Sequence, residues 1–135
     1  MWVKATGKFL VTDRTIRIVL DADICCYYKW LFDRAHYFTY KTQTPRYGAH
    51  INVVSDKLHN VNCAKYKHLN GVPIQFEYNI TGNYGGFAKG FVNFWLDVKC
   101  KMCEDIAKDL NTYKVAEGFA PFHLTILNTK AASRA

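Results

Sequence analysis

Two short segments of the chain each place a histidine two residues before a small polar side chain. They read His-Ile-Asn at residues 50–52 and His-Leu-Thr at residues 123–125. Both lie in apolar surroundings typical of β-strands, in which alternate side chains point to the same face. In each segment the histidine and the polar residue therefore share one face, while the residue between them faces the core.

A pair of histidines at one site can perform acid–base chemistry without a metal ion. Histidine titrates near neutral pH, so one of His50 and His123 can remove a proton while the other donates one. Cleavage of a phosphodiester needs both events, because a nucleophile loses a proton and the leaving oxygen gains one. Asn52 and Thr125 can donate hydrogen bonds to phosphate oxygens, where negative charge builds up in the transition state. The sequence lacks the carboxylate clusters that hold Mg²⁺, so we expect no metal and no cofactor.

The order of predicted elements explains how the two segments can meet. Apolar periodicity predicts strand, strand, helix and strand, and then the same order again. The predicted elements are hairpins over 2–21 and 72–98, helices over 22–37 and 99–110, and strands that contain His50 and His123. A Leu-Asp pair recurs as well, at 20–21 and 96–97. We predict one domain, residues 1–135, of the α/β (α+β) class, with two pseudo-symmetric hairpin-helix-strand lobes (about 1–55 and 72–130) around a central cleft.

Alternation along neighbouring strands predicts the walls of that cleft. Trp95 and Arg17 fall on the faces opposite the apolar rows of their strands. Trp95 can stack a nucleobase, with ordinary sheet packing as its alternative, and Arg17 can pair with a phosphate. Tyr47 and Tyr84, in predicted loops beside the cleft, are further candidates for base stacking.

The charge balance favours a small anionic partner. Lys and Arg total 18 against 11 acidic residues, a formal net charge of +7. The basic residues are spread along the chain rather than gathered in a tail. This distribution indicates a phosphate-bearing nucleotide, and no long nucleic acid is required.

The remaining composition predicts a cytoplasmic protein. No apolar stretch approaches the roughly 20 residues that span a bilayer, and the start of the chain shows no signal peptide. The odd number of cysteines, five, favours free thiols in a reducing compartment. We predict that the single C-x-x-C, Cys100 and Cys103, supplies two helix residues near the core rather than a metal or redox site.

Taken together, these segments resemble the 2H phosphoesterase superfamily, named for two H-x-T/S motifs in a duplicated α/β fold. The resemblance is carried in order by VKATGKF, LDADICCYYKWLF, GAHINVV, FWLDVKCKMCEDI and FHLTIL, which run along nearly the whole chain. Within that superfamily the chain is most similar to small phage nucleases that counter CBASS immunity by cutting cyclic oligonucleotide signals.

The resemblance implies a role for each motif residue. His50 and His123 would be the general acid and base, in an order that the sequence leaves open, and Asn52 and Thr125 would bind the phosphate. A ribose 2′-hydroxyl would attack the adjacent 3′-5′ phosphodiester and open a cyclic di- or trinucleotide, in the cytoplasm of an infected bacterial host. Asn52 departs from the Thr/Ser of the motif. Its amide can donate a hydrogen bond but is longer than a hydroxyl, a change that an inactivated variant could also carry.

Two alternatives stay open at the level of sequence. The first is a cyclic phosphodiesterase or ligase of the same superfamily that acts on RNA ends with a 2′,3′-cyclic phosphate. The second is a non-catalytic sponge or RNA-binding module that binds nucleotides in the cleft without turning them over.

Overall fold

The computed structural model describes residues 1–46, 48–55, 58–85, 92–115 and 118–134. In these residues the chain combines a single sheet with two α-helices and one 3-10 helix, which confirms the predicted mixed α/β class. The strands are β1 Trp2–Val11, β2 Ile16–Val19, β3 Tyr40–Gln43, β4 His50–Val54, β5 Pro73–Asn79, β6 Asn83–Gly85, β7 Asn93–Lys99 and β8 Phe122–Arg134. The helices are α1 Asp23–Ala35, the 3-10 helix Ala64–Leu69 and α2 Lys101–Asp109.

Six of the described strands close into an antiparallel barrel. Their order is β1-β2-β4-β8-β7-β5, and β5 pairs back onto β1. This closed order is symmetric between the two halves of the sequence. If β1 is exchanged with β5, β2 with β7 and β4 with β8, every strand keeps the same kind of neighbours. The two halves of the sequence therefore occupy equivalent positions within one continuous sheet.

The strands of the barrel have one apolar face and one polar face. Ile18 in β2, Ile51 in β4, Leu96 in β7 and Leu124 in β8 are all fully buried, as an alternating pattern requires. The α-helices contribute to the same core through Cys25 and Phe32 of α1 and Cys103, Ile106 and Ala107 of α2. The opposite face is left for the polar side chains of these strands.

Each α-helix packs on a strand from the other half of the sequence. Helix α1 contacts β8, where the Cys25 thiol donates a hydrogen bond to the carbonyl oxygen of Thr125 at 3.6 Å. Helix α2 contacts β4. The strands that contain His50 and His123 are therefore each supported by the helix of the opposite half, which ties the halves into one unit.

Two strands lie outside the strands that the sequence predicts. β3 lies between the predicted helix 22–37 and the strand of His50, and β6 contains Tyr84, which the sequence places in a loop. Both are edge strands, β3 pairing with β8 and β6 with β7. An edge strand buries less side-chain surface than a central one, so it need not show the apolar alternation on which the prediction relied. β8 likewise continues to Arg134, beyond the apolar segment that predicted it.

Much of the polar stretch 55–70 packs against the sheet. The backbone N–H of Cys63 donates to the carbonyl of Asp13 at 2.7 Å, and Leu69 is buried. The N–H of Val11 in β1 donates to the Asn70 side chain at 2.9 Å. These bonds attach the 3-10 helix to the hairpin of β1 and β2, so this part of the stretch has a structural role.

The cysteines are free thiols, as predicted. Cys100 and Cys103 are buried at the start of α2, which confirms that they lie near the core. A hydrogen bond with Cys103 lowers the pKa of the Cys100 thiol to about 7. No helix in the described part of the chain is long and apolar enough to cross a membrane.

Gly7 of β1 lies close against residues of β2. A Cβ atom at Gly7 would lie 2.4 Å from Cγ2 of Ile18 and 2.8 Å from the carbonyl oxygen of Val19. The second contact is with backbone held in the sheet, which cannot move aside as a flexible side chain would.

We therefore expect Gly7→Ala to lower the free energy of unfolding by about 1–3 kcal/mol through overpacking. Urea denaturation of the purified variant measures this change. The neighbouring exposed residue provides a control, because Thr6→Ala should change stability by less than about 0.5 kcal/mol. Equal effects of the two substitutions would contradict the close approach at Gly7.

Candidate functional site

The two histidine motifs, 50–52 and 123–125, lie side by side on neighbouring strands of the barrel. β4 and β8 are antiparallel, and Ile51 is directly opposite Leu124. In this register each histidine faces the polar third residue of the other motif, and the two histidines are diagonal neighbours. Diagonal neighbours of this kind lie about 7–8 Å apart, with their Cβ atoms somewhat closer. The two imidazole rings therefore project from the same face of adjacent strands as near neighbours.

A β-bulge follows the first motif. Asn52 pairs with Arg17 of β2, whereas Val54 pairs with Ile16. Val53 is thus an extra residue on β4, and both it and Val54 are buried.

A β-bulge follows the second motif at the equivalent position. Thr125 pairs with Trp95 of β7, whereas Leu127 pairs with Phe94, so Ile126 is the extra residue. Bulges re-aim nearby side chains and occur often beside active sites. The two motifs therefore share their local backbone irregularity as well as their residue types.

Pairing with the outer strands brings further side chains to the polar face of the sheet. Arg17 lies across from Asn52 and Trp95 lies across from Thr125, so the structure brings both predicted wall residues to the motifs. Asp97 lies across from His123 in the same way.

The strand pairing matches the residues of the two halves differently from the repeated Leu-Asp pair. Val19 lies across from His50 as Asp97 lies across from His123, so Val19 and Asp97 are equivalent. Asp21 falls two residues further on, where its side chain accepts a hydrogen bond from the N–H of Asp23 at the start of α1. The Leu-Asp alignment was therefore wrong by two residues.

His50 is oriented by a backbone carbonyl. Its Nδ1 lies 2.8 Å from the oxygen of Gly48. A carbonyl oxygen only accepts, so Nδ1 carries the hydrogen of this bond and Nε2 is the nitrogen left to exchange a proton. Gly48 has a φ of +82°, in the left-handed region that glycine adopts without steric cost.

His123 lies between two pockets and is reached by solvent through them. Burial lowers the pKa of its imidazole, the nearby Asp97 carboxylate raises it, and His50 lowers it further. The net direction is downward from the ordinary value of 6.5. The effect of His50 on this pKa is consistent with the diagonal placement of the two rings.

The first pocket, called here the Trp95 pocket, has a volume of about 460 Å³. It is lined by Trp95, Asn93, Asp97, Phe119, His123 and Thr125. The indole of Trp95 meets the His123 ring edge-on, with 6.4 Å between ring centroids. An aromatic wall and polar groups therefore adjoin the second motif.

The second pocket, called here the Lys114 pocket, has a volume of about 390 Å³. Its polar lining includes Lys114, Asn52, His59, Tyr113 and His123. The two pockets meet at His123, so a ligand with a phosphate at the histidines has space on both sides.

Arg17 presents an unusual buried donor. Its Nε is buried and has no hydrogen-bond partner among the described residues. A guanidinium is always charged, and a buried donor without a partner is costly, so an anion that bound here would satisfy it.

One of the predicted stacking residues, Tyr84, is not brought to the site. Tyr84 pairs with Phe94 on the apolar side of β7 and stacks on its ring at a centroid distance of 4.9 Å. It therefore lies on the face opposite His50 and His123. Tyr47 lies outside the described residues.

Several residues around the motifs were not predicted. Asp97 could have been found, because the alternation that selects Trp95 also selects the residue two positions later. His59, Lys114 and Phe119 come from loops, whose position no periodicity predicts.

The chain was compared with family models, curated proteins and solved structures. None of the three comparisons gave a match.

The electrostatics of His123 predict how its titration responds to substitution. His50→Asn should raise the pKa of His123, because it removes a repelling charge, and Asp97→Asn should lower it, because it removes an attracting one. NMR titration of the imidazole protons measures both shifts. Asp105→Asn on the exposed side of α2 removes the same charge elsewhere and should leave the titration unchanged. Shifts in the opposite directions would contradict this arrangement.

Proposed function

We propose that the protein is a metal-independent phosphodiesterase of the 2H phosphoesterase type that cleaves 3′-5′ bonds of cyclic di- or trinucleotides. The observation that carries this proposal is the antiparallel pairing of the two motifs about Ile51 and Leu124. It brings two imidazoles and two hydrogen-bond donors to one face of adjacent strands, and this supports their acting together on one phosphate.

The arrangement of strands supports the duplicated, two-lobed fold of that superfamily. The order of the barrel is unchanged when the halves are exchanged, and a bulge follows each motif at the same position. In the proposed fold, the lobes of about 1–55 and 72–130 meet along β4 and β8.

The proposed reaction begins with proton removal by His123. Its lowered pKa favours the neutral imidazole, which can accept the proton of a ribose 2′-hydroxyl. The 2′-oxygen then forms a bond to phosphorus as the bond to the 5′-oxygen breaks. His50 donates a proton from Nε2 to the departing oxygen, while its Nδ1 stays bonded to Gly48.

In this mechanism three side chains stabilise the negative charge that develops on the phosphate. Asn52 and Thr125 flank the histidines and donate to the non-bridging oxygens. Arg17, across from Asn52, supplies a fixed positive charge and an unsatisfied buried donor. The net charge of +7 favours approach of the anionic substrate.

The biological setting of the proposal follows from the resemblance to phage anti-CBASS nucleases. The substrate would be a cyclic oligonucleotide immune signal, and the site of action the cytoplasm of an infected bacterium. The pockets on either side of His123 have space for the two nucleosides that flank a cleaved phosphate.

The proposal predicts that His50→Ala and His123→Ala each lower turnover of a cyclic dinucleotide by about 100-fold or more, with ligand affinity largely kept. Chromatography of a panel of cyclic di- and trinucleotides measures cleavage, and calorimetry measures binding. His68→Ala is the matched control, because His68 is exposed on the 3-10 helix. Turnover should also be unchanged in EDTA.

Other outcomes would favour the alternatives. Loss of activity in EDTA would exclude the metal-free mechanism. Cleavage of RNA ends with a 2′,3′-cyclic phosphate, with closed rings left intact, would identify an RNA-end enzyme. Binding without any product, altered only in affinity by the histidine substitutions, would identify a sponge.

A substitution series at Asn52 tests whether an amide serves in place of a hydroxyl. We expect Asn52→Thr to keep turnover within about tenfold of wild type, because both side chains donate to phosphate, and Asn52→Ala to lower it by about 100-fold. Thr125→Ala removes the equivalent hydrogen-bond donor of the second motif and should lower turnover as Asn52→Ala does. A large gain of activity in Asn52→Thr would show instead that the natural residue impairs catalysis.

A further inference from the structure

Three side chains of β7 form one wall of the Trp95 pocket. Asn93, Trp95 and Asp97 alternate along the strand and point to the same face. Phe119 lines the same pocket from a loop. The wall is thus an aromatic surface with the amide of Asn93 at one end and the carboxylate of Asp97 at the other.

The aromatic surface is suited to a flat ring. Trp95 is half-buried, and its indole is supported on one side by Gly85, at which a Cβ would lie only 3.2 Å from the indole. The backbone of Gly85 therefore lies close to the indole without covering it with a side chain. A nucleobase that stacks on such a surface gains about 1–3 kcal/mol whatever its identity.

Asp97 supplies the discrimination between bases. A carboxylate only accepts hydrogen bonds and takes two parallel donors best. Guanine presents two adjacent donors, its ring N1–H and its 2-amino group. Adenine and cytosine present one amino donor beside a ring-nitrogen acceptor, and the N3–H of uracil lies between two carbonyl oxygens. Only guanine therefore matches both oxygens of Asp97.

The Asp97 carboxylate is available for this contact. In the described part of the chain it takes part in no hydrogen bond or ion pair. Its neighbour across the ladder, His123, interacts with it through charge alone. The amide of Asn93, four residues earlier, can donate to a ring acceptor on the opposite edge of the base.

We propose that the Trp95 pocket is a guanine-binding site, in which the base stacks on Trp95 and donates two hydrogen bonds to Asp97. This inference deepens the proposed function, on which it rests for the position of the phosphate. It selects cyclic oligonucleotides that contain guanine as substrates. Binding of the base itself does not depend on catalysis.

Affinities for uncleavable mononucleotides test the site directly. GMP, AMP, CMP, UMP and IMP, all as 5′-monophosphates, share the same sugar and phosphate, so differences in Kd report the base. Calorimetry should show GMP binding at least about tenfold more tightly than AMP, CMP and UMP. IMP lacks the 2-amino group and should bind about tenfold more weakly than GMP.

Two variants separate base reading from stacking. Asp97→Asn should weaken GMP binding by about 10- to 100-fold and leave the other nucleotides within about threefold. Trp95→Leu should weaken all five nucleotides similarly and preserve their order. Glu77→Gln removes a carboxylate on β5, outside the pocket, and should change none of these affinities.

The outcomes distinguish this inference from the proposed function. Equal affinities for all bases, or an Asp97→Asn variant that keeps its preference for GMP, would overturn the guanine site even if cyclic dinucleotides are cleaved. Preference for GMP that depends on Asp97, without cleavage of any ring, would support the site and overturn the phosphodiesterase. Circular dichroism of each variant verifies that it is folded.

Discussion

The pairing of β4 with β8 about Ile51 and Leu124 is the constraint on which the candidate site depends. Both residues are fully buried, and side chains alternate along a strand. A shift of either strand by one residue would turn its histidine into the core and expose an apolar row. The register is therefore held by the hydrophobic core, and the core in turn is completed by helices that cross from one half of the sequence to the other. The geometry of the candidate site and the stability of the fold consequently rest on the same contacts.

The two halves share the order of their barrel strands and the bulge after each motif but differ in the side chains at equivalent positions. Arg17 in the first half corresponds to Trp95 in the second, and Val19 corresponds to Asp97. The first half thus places a cation beside its motif, where the second half places an aromatic ring and a carboxylate. In the proposed mechanism this divergence serves a purpose, because a general acid and a general base need different surroundings, and so do a phosphate and a nucleobase. The symmetric arrangement of strands therefore holds a candidate site whose two halves have different side chains.

Part of this arrangement was predictable because it follows from local alternation. The hairpins, both α-helices, the apolar rows and the shared face of Arg17, Trp95 and the histidines agree with the structure. The bulges are also visible in the sequence. Two consecutive apolar residues follow each motif, Val53-Val54 and Ile126-Leu127, and they interrupt the alternation of apolar and polar residues. β3 and β6 were missed because edge strands lack a continuous buried row. The repeated Leu-Asp pair misled the alignment, because a dipeptide carries no information about which residues lie opposite each other across strands.

The residues that could do chemistry, and the face of the strand that each one occupies, follow from local sequence, because side-chain direction along a strand depends only on local geometry. That the two motifs are neighbours, that Asp97 lies beside His123 and that Tyr84 faces the other way follows from the folded chain alone. These relations join segments that are distant in the chain, and they are set by the closure of the barrel and by packing of the helices. Loop residues such as Phe119 and Lys114 belong to the same category, since nothing periodic fixes where a loop returns to the sheet.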